Sequence, residues 1–203
     1  MSFLFEVLKR LEFEDRKQRE AGLPPEQRHR SITRTTGQVL SMLVRLSKAT
    51  HVIEIGTSIG YSTLWLALGV KTTQGTVISY EIESARAVKA RSNVEQAGLS
   101  KVVEVRNEDP RKAELPKTDF VFLDAEKRDY IEHFKAVFPK LLPRGIVVAD
   151  NVLSHQEELK NYLEYVRKLP SCNSILLPID RGLELTYKFA KKEFDAFRSL
   201  FSH

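Results

Sequence analysis

The chain predicts an α/β fold built on a doubly wound, mostly parallel sheet, on three observations. From His51 onward, short apolar runs alternate with amphipathic stretches, the rhythm of βαβ units covered on both faces. Two of the runs end in acids, Phe120-Val121-Phe122-Leu123 in Asp124 and Ile146-Val147-Val148-Ala149 in Asp150. Consecutive parallel strands end on one sheet edge, so these side chains converge in one crevice. The last two runs have only a short Pro-Ile-Asp-Arg-Gly turn between them, which calls for an antiparallel pair at one edge.

The elements follow in order. Residues 1–20 read as an amphipathic helix with Leu4, Leu8 and Leu11 on one stripe, ended by Gly22-Leu23-Pro24-Pro25. A second helix, Thr36 to Ser47, turns Val39, Leu40, Leu43 and Leu46 inward. Strand Val52–Ile55 leads to helix Tyr61–Leu68, and strand Thr76–Tyr80 to helix Ser84–Ala97, closed by Gly98. Strands Val102–Val105 and Phe120–Leu123 come next, and a helix from Tyr130 to Leu142 joins the latter to strand Ile146–Ala149. A helix from Gln156 to Leu169 precedes strands Ser174–Leu177 and Leu183–Phe189, the seventh. Connections between parallel strands are expected to be right-handed.

At 203 residues the chain is sized for one domain, with no repeat or linker to divide it. Net charge is +5 and the sequence pI about 9.3, but bases and acids are interspersed, the pattern of a mixed solvated surface more than of a nucleic-acid face. The single Cys172 excludes an intrachain disulfide, fits a reducing compartment and has no companion motif for catalysis. The N-terminal apolar run is broken by Glu6, Lys9 and Arg10, so it reads as neither signal peptide nor membrane span. A cytoplasmic protein is expected.

Glu54-Ile55-Gly56-Thr57-Ser58-Ile59-Gly60-Tyr61-Ser62 is a strand end, a glycine turn and a helix start. The Gly-x-x-x-Gly spacing differs from the dinucleotide fingerprint, which disfavours a nicotinamide dehydrogenase. Glu54 is a carboxylate inside an apolar strand, costly unless something pairs with it, and a ligand's cationic amine would do so. Glu81 closes the next strand, where an acid commonly accepts from ribose hydroxyls, although it also suits the start of the following helix. Together they describe an adenosine with a zwitterionic tail. Asp124, Asp150 and the amide of Asn151 form a hard-oxygen set suited to a divalent cation. Lys127 lies three residues past Asp124, placed to serve as a base. Each has a plain alternative as a helix cap, a polar turn or a surface charge, but they coincide at one edge beside the glycine loop. His155 reads as a solvated loop residue, and Tyr130 and Trp65 as core or rim aromatics.

With those motifs in place, the chain resembles the cation-dependent S-adenosylmethionine O-methyltransferases of the catechol and caffeoyl-CoA type. The likeness spans roughly residues 31 to 189. Its markers are residues 54–62, Tyr80-Glu81, Phe122-Leu123-Asp124-Ala125-Glu126-Lys127 and Ala149-Asp150-Asn151-Val152. It implies a Rossmann-like class I methyltransferase fold in one domain. Residues 1–48 would form a lid over cofactor and substrate, 49–189 the core and 190–203 a helical extension. It implies S-adenosylmethionine bound by Ile32 in the Ser31-Ile32-Thr33 segment, by Glu54, Gly56, Thr57, Ser58, Gly60, Tyr61 and Ser62, by Glu81 at the ribose, by Asp109 near the adenine and beside Asp124. It implies Mg²⁺, or another cation such as Ca²⁺ or Mn²⁺, on Asp124, Asp150 and Asn151. Lys127 and Asp124 would be catalytic, the acceptor a hydroxylated aromatic small molecule and the assembly a homodimer.

Three features depart from that pattern. Asn107-Glu108-Asp109-Pro110 replaces the usual small-residue turn at the adenine. The insert after the Asp-Asn pair is very short, which leaves the acceptor open. Lys191 to Phe201 extends past the usual last strand, with Phe194, Phe197, Leu200 and Phe201 on one helical face. Lys127 reads equally as a base or as a cation stabilising a phenolate. A hydroxylated RNA nucleotide as acceptor, and cofactor binding without transfer, are the other readings.

Overall fold

The structure, a computed structural model, describes residues 2–24 and 27–200. Seven strands form one sheet: β1 (His51–Ile55), β2 (Thr76–Tyr80), β3 (Val103–Arg106), β4 (Thr118–Leu123), β5 (Leu141–Ala149), β6 (Cys172–Leu177) and β7 (Leu183–Lys188). Their spatial order is β3-β2-β1-β4-β5-β7-β6. The five strands from β3 across to β5 pair in parallel. β7 runs antiparallel to both β5 and β6, so the expected antiparallel pair closes one edge, with β6 outermost. The winding reverses between β1 and β4, which opens a crevice at their carboxyl ends.

Alternation along the strands fills two cores. Val52, Phe120, Phe122 and Val148 face the layer of α1 (Ser2–Glu20), α2 (Arg34–Leu46), α3 (Tyr61–Thr73) and α4 (Ser84–Gln96). Ile53, Ile55, Val121, Leu123 and Val147 face α5 (Tyr130–Val137) and α6 (Lys160–Lys168). Burial on both faces explains why these strands read as continuous apolar runs. Glu184 of β7 lies within this packing, fully buried, and is satisfied by a bidentate pair with Arg167 (2.8 and 2.7 Å) and by Ser174 Oγ at 2.8 Å.

The N-terminal helices dock on the first layer. Leu4, Val7, Leu8 and Leu11 are buried at helical spacing. Arg10 donates to Asn93 Oδ1 at 2.8 Å, while the Asn93 amide donates to Ile59 O at 2.8 Å. Glu12 accepts from Tyr61 Oη and from Arg34 Nη2, both at 2.6 Å, joining α1, α2 and α3 at one carboxylate.

Several boundaries differ from expectation, each for a local reason. The buried face of α2 is Thr36, Gly37, Leu40, Ser41 and Val44, and Leu46 is 75% exposed. The small residues are inward because α2 crosses α3 closely: a Cβ on Gly37 would stand 2.3 Å from Trp65 Cδ1. α5 stops at Val137, not Leu142, because Pro139 has no N–H to continue the helical ladder past the C-cap Phe138. Leu141 and Leu142 then join β5, and Lys188 Nζ donates to the carbonyls of Phe138 and Leu141 at 2.8 and 2.7 Å. Residues 152–159 are successive turns, so α6 starts at Lys160 and not Gln156; Leu159 is the first buried apolar anchor of that segment after Val152. The extension does form a helix, α7 (Lys191–Leu200), with Phe194 half-buried. The side chains of Phe197 and Leu200, and the whole of Phe201, lie outside the described residues. No described helix is long and apolar enough to cross a membrane.

Gly37→Ala is expected to cost about 1–3 kcal/mol through overpacking against Trp65, read as a lowered chemical-denaturation midpoint. An unchanged midpoint would contradict the close crossing.

Candidate active site

Backbone bonds carry four strand ends into the crevice. Gly56 N and Thr57 N both donate to Tyr80 O, at 3.0 and 3.3 Å, extending the β1–β2 ladder into the glycine loop. Asp124 N donates to Ile55 O at 2.9 Å, and Asp150 N to Leu123 O at 3.0 Å, so the two acids emerge from neighbouring strands. Gly56 has φ 98°, and a Cβ there would stand 2.3 Å from Asp124 O. A glycine is therefore demanded by the approach of the β1 loop to the end of β4, whatever the ligand. The cleft above these ends has a volume of about 570 Å³.

Of the residues named from sequence, Ile32, Gly56, Thr57, Ser58, Tyr61, Ser62, Glu81, Asp124, Lys127 and Asn151 line that cleft, while Glu54, Gly60, Asp109 and Asp150 do not. Glu81 is buried, and its two oxygens accept from Ser58 N at 2.7 Å and Glu83 N at 2.9 Å, leaving lone pairs for a further donor. Asn107 Nδ2 donates to Glu81 O at 2.8 Å, giving the altered turn a structural task. Ser58 Oγ donates to His29 O at 2.7 Å, which brings the segment before α2 over the loop. Gly60 serves as the α3 N-cap beneath the wall.

Glu54 lies under the floor, wholly buried and outside the lining. Its Oε2 accepts from Thr63 Oγ1 and, at 2.5 Å, from Ser79 Oγ, while Oε1 has no partner. Burial pushes its carboxyl from 4.5 to about 7 against the pull of the Ser62, Ser79 and Thr63 hydroxyls. Ser62 connects it to the cleft.

The acid cluster is compact. Asn151 Nδ2 donates to Asp124 Oδ1 at 2.8 Å and Asp150 Oδ2 at 3.0 Å. Lys127 Nζ lies 3.1 Å from Asp124 Oδ1 and 3.3 Å from Tyr130 Oη, and Tyr130 Oη donates to Asp150 O at 3.1 Å. Asp150 is 2% exposed, and its Oδ1 is buried without a partner. Burial, and then the neighbouring Asp124, push the Asp150 carboxyl up. Two adjacent carboxylates with an orphaned oxygen form a site short of positive charge, which a divalent cation would satisfy. Asn151, in the left-handed region at φ 68°, offers its Oδ1 by rotation of the amide. The described residues contain no cluster of three His, Cys, Asp or Glu side chains suited to a metal, so this donor set depends on Asn151.

Asp109 does not reach the wall. Arg111 engages both its oxygens, at 2.9 and 2.8 Å through Nε and Nη2, and that bonding holds the carboxyl down to about 2. Pro110, Arg111 and the buried His133 line the cleft there. Arg30, Tyr130, His133 and Arg181 are the residues sequence reasoning missed or undervalued. Arg30 pairs with Glu126 at 2.8 Å across the cleft mouth. Tyr130 had a usable signal, since it stands three residues past Lys127 at the start of a helix. His155 lines the cleft, its Nδ1 2.9 Å from Ser154 Oγ.

The family model for O-methyltransferase matches residues 10–178, most of the chain, and the chain belongs to that family. A catechol O-methyltransferase of Niastella koreensis is 33% identical over 141 residues, 66% of this chain. The matched stretch spans 62% of that relative's length. Caffeoyl-CoA O-methyltransferase 5 of Nicotiana tabacum is 27% identical over 177 residues, covering 73% of each chain. Among solved structures, an O-methyltransferase from Bacillus cereus in complex with SAH superposes with a TM-score of 0.75 at 26% identity, covering 93% of this chain and 91% of that one.

Glu54 supplies a stability test. Its folded pKa of about 7 lies above the ordinary 4.5. The stability given by its neutral form is therefore full below pH 4.5 and lost as pH rises through 7. Glu54→Gln, neutral throughout, is expected to gain on the wild type between pH 5 and pH 8, by up to about 3 kcal/mol. Denaturation with EDTA and without cofactor checks it; a pH-independent difference would contradict the buried, raised carboxyl.

Proposed function

We propose that this protein moves the methyl group of S-adenosylmethionine to a hydroxyl of a catechol-like small molecule, with a divalent cation on Asp124, Asp150 and Asn151. The carrying observation is the orphaned, buried Asp150 Oδ1, set beside Asp124 and Asn151 with Lys127 Nζ at 3.1 Å from Asp124. Relatives named for catechol and caffeoyl-CoA methylation support the acceptor class.

The cofactor, when bound, supplies an electrophilic sulfonium methyl. The cation, when bound, supplies a Lewis acid that lowers the pKa of a coordinated hydroxyl. The chain does the rest. Glu81 takes ribose hydroxyls with its spare lone pairs. Ser62, backed by the Glu54 carboxylate, receives the cationic amine, and Ile32 covers the tail from above. A phenol of pKa about 10 is a poor nucleophile at neutral pH, so the chain must orient it and remove its proton. Orientation in a cleft of this kind supplies about 7–11 kcal/mol of barrier reduction. Lys127, after losing its own proton to solvent, accepts the acceptor's proton at Nζ. Tyr130 Oη and Asp124 hold Nζ in place, and Tyr130 ties that contact to the backbone of Asp150.

The test is transfer from labelled S-adenosylmethionine to vicinal diphenols, with Mg²⁺ and with EDTA. Transfer is expected with Mg²⁺, lost with EDTA and restored by Mg²⁺. Asp150→Ala is expected to lose on the order of 10²–10³ in kcat/KM, the scale of one preorganised electrostatic contact. Lys127→Arg keeps the charge but offers no accessible base, so a loss of about 10²–10⁴ supports proton acceptance. Activity kept within tenfold would make Lys127 an electrostatic stabiliser instead. The homodimer is a proposal of the same kind, and light scattering at twice the 23.3 kDa of one chain would support it. A cytoplasmic, reducing setting suits the free, buried Cys172.

A further inference from the structure

Six arginines stand in the cleft wall. Five are engaged: Arg19 with Asp15 at 2.6 Å, Arg28 with Leu23 O, Arg30 with Glu126, Arg86 with Glu83 at 2.9 Å, and Arg111 with Asp109 and Asp129. The half-buried Arg181 guanidinium makes no hydrogen bond or ion pair with any described residue. Two acids, Asp150 and Asp180, feel its charge. Asp180 accepts from the hydroxyls of Thr33 and Thr36, and Asp150 from Asn151. Those acids balance its charge but cap none of its N–H groups, which leaves the guanidinium fork open to a ligand anion.

Its place in the fold says which ligand. Along the sheet edge, Glu81 ends β2, Gly56 follows β1, Asp124 ends β4 and Asp150 ends β5; the Arg181 turn enters β7. Arg181 therefore lies across the acid pair from the ribose carboxylate, on the acceptor's side. The turn is fixed close to the acid pair. Leu153 N and Ser154 N donate to Arg181 O at 2.9 and 3.1 Å, and Val152 N to Gly182 O at 3.1 Å. A Cβ on Gly182 would stand 2.5 Å from Leu153 Cγ, so the turn is pressed onto the segment just after Asn151. A ligand whose oxygens are held at the acid pair shares one cleft with Arg181 and can present it a second polar group. A carboxylate suits that place, because its two oxygens match the guanidinium fork.

We propose that Arg181 is the anion site of the acceptor pocket, and that the acceptor is a vicinal dihydroxy aromatic acid with its carboxylate on or next to the ring. This rests on the function proposed above, in that the hydroxyls are placed at the acid pair.

The experiment is calorimetric binding of 3,4-dihydroxybenzoate and of catechol to protein saturated with S-adenosylhomocysteine and Mg²⁺, with turnover of both compounds in parallel. The wild type is expected to bind the acid at least about tenfold more tightly than catechol, the scale of one charge-assisted pair. In Arg181→Gln that ratio should fall close to one, and Arg181→Lys should retain part of it. No preference in the wild type, a preference kept by Arg181→Gln, or a tenfold loss of S-adenosylhomocysteine affinity in Arg181→Gln would each overturn the proposal. The last would assign the guanidinium to the cofactor. Discrimination in binding without methyl transfer would sink the methyltransferase reading and keep the anion site. Transfer to both compounds without discrimination would do the reverse.

Discussion

Two carboxylates at the ends of neighbouring parallel strands are held together against their own repulsion, and the rest of the site is arranged around that arrangement. Leu123 and Ala149 pair in register, and the next residue of each strand is an aspartate. The Asp150 amide bonds to Leu123 O, and Asp124 is pinned to β1 through Ile55 O. Neither acid can withdraw without breaking a ladder buried on both faces. Lys127 and Asn151 supply the donors that make the pair tolerable, while Tyr130 donates to the Asp150 carbonyl, yet one carboxylate oxygen of Asp150 stays unsatisfied. Elsewhere the same chain satisfies its wholly buried Glu184 with an arginine and a serine. The shortfall at Asp150 is the observation on which the proposed cation site rests.

The cleft wall has a similar logic. Its loop glycine is fixed by contact with the backbone of Asp124, so the nucleoside side and the acid pair are built as one unit. Glu81 is oriented by two backbone amides, and the N-terminal segment reaches over through His29, Arg30, Thr33 and Thr36. These rim contacts are polar, while α1 beneath them adds a buried apolar stripe of Leu4, Val7, Leu8 and Leu11 to its polar ties through Arg10 and Glu12. A segment held firmly below and by exchangeable hydrogen bonds at the rim suits the lid that the proposed two-ligand reaction would use.

The sheet was legible because its strands are apolar on both faces and end in polar punctuation. Gly56, Glu81, Asp124 and Asp150 could be read as strand ends from order alone, and the acid pair followed from parallel geometry. Less visible were features set by packing between distant segments. Nothing local says that Leu46 is exposed while Gly37 and Ser41 face inward, because Trp65 and Gly69 on another helix decide it. Asp109 was expected at the adenine, but a neighbour two residues away takes both its oxygens. Arg181 lay in a turn that read only as a turn; its meaning comes from β7 inserting beside β5, far away in sequence.

The most direct measurement is titration of Mg²⁺ into metal-free protein by calorimetry, for the wild type and Asp150→Asn, with unfolding followed in the same samples. One cation per chain, a higher unfolding midpoint with Mg²⁺, and loss of both in a folded Asp150→Asn variant are the expected results. A wild type that binds no cation with or without S-adenosylhomocysteine, or an Asp150→Asn variant that binds it equally well, would contradict the central claim.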